Sequence, residues 1–186
     1  MCGRYVFYDE RNQKLKEFIE LANRKLPPET VAKVSLFDVV PSEKAFAGVC
    51  INNRHVTRIM QWGFPLNKKL VINARCEKVF QSPFFAGSRP CVLPCTGYYE
   101  WSVKPRVKYL ITTEYSPFYL AGICKIFDGE AHFVILTQDA VSSQKDIHPR
   151  EPVIFDYEHA RQWCASDDPA SLLVYSEKKR ILSPLK

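Results

Sequence analysis

Apolar residues in this chain recur mostly at alternate positions and in short runs, the pattern of strands broken by turns. One early segment differs. Leu15, Phe18, Ile19, Ala22 and Leu26 fall at helical spacing, Asp9 is placed to cap the helix, and Pro27-Pro28 stops it. Residues 2–8, ahead of it, read as a strand, and residues 31–40 as another that ends at Pro41. Residues 45–51 and 55–62 flank Asn52-Asn53-Arg54 as a hairpin. Short apolar pieces follow at 70–74 and 90–93, and strands at 98–103 and 107–112 flank Lys104-Pro105-Arg106. The clearest signal is Asp128-Gly129 between apolar runs at 119–127 and 132–137, because both turn residues tolerate positive φ. A strand at 153–155, a helix over 157–164 with Asp156 at its start, and a short helix or turn from Asp168-Pro169 complete the chain. This pattern predicts an α+β fold, a curled, mostly antiparallel sheet or open barrel with a few flanking helices. One domain is expected over residues 1–186, with 176–186 as a loose tail carrying Lys178, Lys179 and Arg180.

Composition narrows the classes. The 186 residues are 46% apolar and 25% charged, which excludes a disordered chain. No apolar run approaches the roughly 18 residues of a membrane span, so no membrane partner is expected. The formal net charge of +6 permits a polyanionic partner without requiring one. The seven cysteines are an odd number and no secretory leader precedes them, so reduced thiols in an intracellular monomer are expected. The cytoplasm or nucleoid, or a nucleus, fits that reading. Cys91 and Cys95 lack the second pair that zinc needs. Gly-rich phosphate loops, dinucleotide fingerprints and nucleophile elbows are absent, so no metal or cofactor is expected.

Several residue groups carry candidate chemistry. Loss of Met1 would give Cys2 a thiol and an α-amine on one residue. The amine titrates near 7.7–8.0 and the thiol at about 8.5, so both are usable nucleophiles. Such a 1,2-aminothiol condenses with an aldehyde to an imine, and the thiol then closes a five-membered thiazolidine. An ordinary strand cysteine near a chain end is the competing reading. Trp62-Gly63 ends a strand, and the indole is either a surface wedge or a core cap. Alternation puts Asn73 and Arg75 on one strand face, where an amide beside a guanidinium suits a phosphate or another polar ligand. A strand end with a surface Arg–Glu pair would look the same. Glu100 sits among Tyr98, Tyr99 and Trp101, as either a buried general acid–base or a carboxylate on the wet face. His148 and Arg150 share a Pro-stiffened loop suited to phosphate binding with proton transfer.

In combination these motifs are far more specific. The series Met1-Cys2-Gly3-Arg4-Tyr5, Val40-Pro41, Trp62-Gly63, Asn73-Ala74-Arg75-x-Glu77, Gly97-Tyr98-Tyr99-Glu100-Trp101 and His148-x-Arg150-x-Pro152 resembles the SOS-response-associated peptidase family of abasic-site processing proteins. The resemblance implies that Cys2, freed of Met1 by the chain itself, forms a reversible thiazolidine crosslink with an abasic site in single-stranded DNA. It implies that Asn73 holds the ring or the sugar, that Glu100 shuttles protons, and that His148 assists sugar opening. It assigns phosphate contacts to Arg4, Arg75 and Arg150, and a base-stacking wedge to Trp62 with Gly63. This chain departs from the family at Pro149 and at Glu151, where Met is usual. A carboxylate there is expected to pair with Arg150 or to weaken its phosphate contact. The stretch after Trp62-Gly63 is also short for the family, which implies a trimmed DNA groove.

Two other classes compete. A glutamine amidotransferase-like hydrolase also begins Met-Cys-Gly, but its downstream Arg-Gly and Asn-Gly motifs are not found here. A non-catalytic single-stranded DNA-binding module would use the basic charge and aromatics for reversible, salt-sensitive binding.

Overall fold

The computed structural model describes residues 2–8, 12–103, 105–177 and 179–185. The chain enters on a short strand, β1 (Tyr5–Val6), and continues into helix α1 (Gln13–Lys25). The Asn12 side chain caps α1 by accepting the Leu15 N–H, and Arg24 and Lys25 sit favourably at its C-terminal end. Asp9, the cap expected from sequence, lies outside the described residues. The apolar stripe of α1 packs Leu15, Phe18, Ile19 and Ala22 on the core.

The strand expected over residues 31–40 is not formed as such. Pro28, with its preset φ, opens a single helical turn, α2 (Pro28–Val31), and of residues 31–40 only β2 (Asp38–Val39) and a single bridge from Val34 to Lys44 pair as strand.

The predicted hairpins hold. Strands β3 (Lys44–Ile51) and β4 (Arg54–Trp62) turn through Asn52 and Asn53, both at positive φ (48° and 57°). A small hairpin follows, β5 (Phe64–Leu66) with β6 (Lys69–Val71), then β7 (Asn73–Arg75) and the one-turn helix α3 (Cys76–Val79). The middle of the chain supplies β8 (Arg89–Cys95), β9 (Gly97–Trp101), β10 (Lys108–Thr112), β11 (Phe118–Phe127) and β12 (Glu130–Asp139). The β11–β12 turn is Asp128-Gly129, with φ of 49° and 82°. A 3-10 turn over Ser142–Asp146 leads to β13 (Arg150–Pro152), β14 (Ile154–Phe155), helix α4 (Tyr157–Ala165) and β15 (Ile181–Leu185). Asp156 caps α4 by accepting the His159 N–H, as its position predicts.

The fold is α+β, with a curled, mostly antiparallel sheet core. One sheet runs β15-β10-β9-β1-β2. The larger runs β13-β12-β4-β3-β8-β11-β14, and β11 pairs again with β12, so the sheet curls back on itself. Strand β7 joins it beside β12, in parallel. One core gathers Tyr5, Phe7, Phe46, Trp62 and Phe133, and a second gathers Phe64, Phe155 and Trp163 under α4. The Trp163 indole donates to the carbonyls of Cys91 (3.0 Å) and Gly122 (3.2 Å), which fastens α4 to β8 and β11. Among the described residues, no helix is long and apolar enough to cross a membrane.

The C-terminal segment differs from the expected loose tail. Strand β15 pairs along the length of β10, from Thr112↔Ile181 to Lys108↔Leu185. Arg180, one of the charges that made this stretch look solvated, has its side chain buried, 3.3 Å from the equally buried Glu151. Gln138 also donates to that carboxylate at 3.0 Å. Burial pushes the Glu151 carboxyl up while the guanidinium pulls it down. We therefore expect Arg180→Met, which strips a buried carboxylate of its cation, to cost about 3–5 kcal/mol. The double substitution Glu151→Met with Arg180→Met should recover most of this loss. Urea unfolding of the three proteins checks it, and an equal loss in the single and double variants would show that the pair carries no such constraint.

Candidate functional site

The N-terminal residues are drawn inward by the strand that follows them. Strand β1 lies between β9 and β2, with Tyr5 opposite both Tyr98 and Val39. The Tyr99 N–H donates to the Arg4 carbonyl (2.9 Å) and the Thr96 N–H to the Val6 carbonyl (2.8 Å). With residues 4–6 zipped in this way, Cys2 is carried into the core and is 0% exposed. The Asn73 side chain reaches it from the larger sheet, its Nδ2 donating to the Cys2 carbonyl at 2.9 Å. Asn73 is itself fixed by parallel pairing of β7 with β12. Its Oδ1 is buried and has no hydrogen-bond donor among the described residues.

The Cys2 thiol is pushed up to about 12, first by burial and then by the negative charge of Glu100, against smaller lowering effects of the chain terminus and the Arg4 carbonyl contact. Glu100 is itself buried, at 4% exposure, on the same face of β9 as Tyr98. Tyr99 and Trp101 take the opposite face, under the Lys108 ammonium, which lies 3.8 Å and 5.8 Å from their rings. The structure thus buries Glu100 and does not place it on the wet face. A thiol held protonated in this way becomes a nucleophile only when a base takes its proton.

Behind Asn73, Trp62 is fully buried, stacked on Phe133 at 6.0 Å and tilted against Tyr5 at 5.4 Å. Its indole N–H donates to the Ile72 carbonyl at 2.9 Å, which pins the residue before Asn73. Of the two readings of Trp62, the structure shows the core cap. The indole does not reach the surface, because its N–H and both ring faces are used inside. Gly63 makes the corner that follows, at φ 115°, where a Cβ would come within 3.1 Å of Leu70. Its N–H donates to the Phe133 carbonyl at 2.8 Å.

His148 follows the 3-10 turn after β12. Its Nδ1 lies 3.0 Å from both the N–H and the carbonyl oxygen of Arg150. The Arg150 guanidinium is engaged by carboxylates, Glu77 at 2.6 and 3.0 Å and Asp139 at 2.6 Å, and by the Thr137 carbonyl at 2.5 Å. It braces α3 against β12. A phosphate at Arg150 would have to displace these partners, so the clamp expected there is occupied in this state. The expected pairing of Glu151 with Arg150 does not form. Alternation along β13 sends Glu151 to the other face, toward Arg180. Arg4 is partly exposed and 3.5 Å from Asp38, and Arg75 is exposed on β7. Asn73 is thus bonded to Cys2 and Glu100 acts on its thiol through charge, whereas Trp62 and Gly63 pack behind Asn73 and Arg150 braces α3 against β12. Asp139 and Gln144, which support the His148 loop, belong to no motif, and isolated polar residues in a loop give no sequence signal.

The sequence profile of the SOS response associated peptidase (SRAP) family matches residues 1–182. Abasic site processing protein YoaM of Bacillus subtilis is 25% identical over 183 residues, covering 88% of this chain and 78% of that protein. Abasic site processing protein YedK of Escherichia coli is 27% identical over 184 residues, covering 88% and 79%. The fold is shared with a phage-related protein of Bordetella bronchiseptica, at TM-score 0.74 and 19% identity over 100% of this chain and 94% of that one. A protein from Bacteroides thetaiotaomicron aligns at TM-score 0.76 and 19% identity, covering 100% and 92%.

The electrostatics of the site make one prediction. Glu100→Gln removes the charge that opposes thiolate formation, so Cys2 should ionise at lower pH, although burial still holds it above an ordinary thiol. The pH dependence of Cys2 alkylation by a small thiol reagent measures this. An unmoved profile would mean that the carboxylate does not act on the thiol.

Proposed function

The chain belongs to the SOS response associated peptidase family, and from that premise we propose that it processes abasic sites in single-stranded DNA by covalent capture at Cys2. One observation carries the reading. Cys2 is buried beside Glu100 and held through its own carbonyl by Asn73, which is the arrangement a terminal aminothiol needs.

Removal of Met1, which we assign to the same site, frees the α-amine. The amine adds to the aldehyde of the ring-opened abasic sugar, and loss of one water gives an imine. The Cys2 sulfur then adds to the imine carbon, and the thiol proton ends on the ring nitrogen through Glu100. The thiazolidine therefore forms with net loss of one water, and adding that water back reverses it. Glu100 is suited to the proton transfers because it is close enough to feel the thiol and lies in a dry setting. His148 assists opening of the sugar hemiacetal. The Asn73 amide fixes the Cys2 carbonyl so that amine and thiol approach one carbon, and its buried Oδ1 is left to accept from the sugar or the new ring nitrogen.

Arg4 and Arg75 contact the flanking phosphates. Trp62 serves from beneath by pinning Ile72, and Gly63 turns the chain at the edge of the site. Arg150 serves as a brace whose carboxylate partners hold the His148 loop in place.

Cys2→Ala should abolish denaturant-resistant capture of abasic single-stranded DNA while leaving reversible, salt-dependent binding. Retained covalent capture in Cys2→Ala would overturn the mechanism. Glu100→Gln should slow capture or its reversal by about 10²–10⁴-fold, the usual contribution of a general acid–base. Unchanged rates in both directions would remove Glu100 from the reaction.

A further inference from the structure

Gln144 is 0% exposed, on the 3-10 turn four residues before His148, and its side-chain amide and backbone carbonyl are all engaged. Its backbone carbonyl accepts the N–H groups of Ile147 (2.9 Å) and His148 (3.0 Å). Its side-chain Nε2 donates to the Arg150 carbonyl at 3.3 Å. Its Oε1 accepts the hydroxyl of the buried Tyr98. The residue therefore closes the loop on both sides of His148 and ties it to β9, the strand that carries Glu100.

The placing of Arg150 matters because it offers a donor and an acceptor to one ring nitrogen. A neutral His148 ring with its proton on Nε2 accepts the Arg150 N–H at Nδ1. A protonated ring donates from Nδ1 to the Arg150 carbonyl. Both arrangements use the same 3.0 Å geometry, so the ring stays in place as it gains and loses a proton. That property suits an acid–base group, and it lasts only while the Arg150 backbone is held. The pairing of Arg150 with Asp139 on β12 supplies part of that hold, and Gln144, in a position that water does not reach, adds to it by donating to the Arg150 carbonyl.

We propose that Gln144, anchored by Tyr98, is the positioning residue that fixes the orientation of the His148 ring. The role of His148 in abasic-site capture rests on the functional reading above, but the state of its ring can be measured without DNA. With ¹⁵N-labelled histidine, the four histidines are resolved and His148 is assigned by its loss in His148→Asn. At fixed pH the wild-type ring should give one sharp pair of nitrogen resonances, displaced from those of a free histidine by the Nδ1 contact with Arg150. Gln144→Leu and Tyr98→Phe should move the Nδ1 resonance toward the free-histidine position, as a ring that leaves Arg150 does. Tyr98→Phe removes a single oxygen and keeps the test available if Gln144→Leu does not fold. At saturating DNA, both variants should capture abasic sites about tenfold more slowly, as expected for a misplaced reacting group. Reversible DNA affinity, measured in the Cys2→Ala background, should not change. An Nδ1 resonance unmoved in both variants, or an unchanged capture rate, would overturn the proposal. Failure of the wild-type protein to capture abasic DNA would instead overturn the functional reading, and the nitrogen shifts would still decide the role of Gln144.

Discussion

The burial of residue 2 is the constraint on which the rest of the structure depends. Chain ends ordinarily fray, because nothing offsets the entropy of ordering them. Here a strand of only two residues, Tyr5–Val6, holds the end because it is inserted between β9 and β2 and is bonded on both sides. Cys2 is carried past that strand into the core, and its backbone carbonyl would lack a partner there but for the Asn73 amide. A thiol in such a place stays protonated, so its chemistry requires a proton acceptor that is equally dry. Glu100, on the buried face of the neighbouring strand, meets that requirement.

The groups that act on Cys2, Asn73 and Glu100, come from distant parts of the chain, and each is fixed by backbone pairing. Asn73 is set by β7 lying parallel to β12, and the residue before it is pinned by the Trp62 indole. Glu100 is set by β9 between β1 and β10. The His148 segment leaves β12 and returns antiparallel to it as β13, where Arg150 is braced by Glu77 and Asp139. Loss of packing at Trp62 would thus reach the site through Ile72, although the indole never touches the reacting atoms.

Features governed by local chemistry were legible in the sequence. The α1 stripe and its proline stop, the Asn52-Asn53 and Asp128-Gly129 turns, and the Asp156 cap are short-range rules, and the structure follows them. The sheet class followed from the same alternation. Features governed by long-range partners were not legible. Residues 31–40 look strand-like, but only Asp38–Val39 and a single bridge at Val34 find strand partners. The run Lys178-Lys179-Arg180 reads as solvated because Glu151, which buries the Arg180 side chain, lies 29 residues earlier in the chain. At the site, residue types and order pointed to Cys2, Asn73 and Glu100. Only the fold shows that Trp62 faces inward, that Arg150 already holds two carboxylates, and that the Gln144 side chain ties the His148 loop to Tyr98.

The central claim is that Cys2 forms a covalent bond with the abasic sugar. Intact-mass measurement of the wild-type protein, before and after mixing with a single-stranded oligonucleotide carrying one abasic site, addresses it most directly. The account predicts a protein lacking Met1 that then gains the mass of the DNA less one water. A protein that has lost Met1, binds the oligonucleotide and yet gains no mass would contradict it.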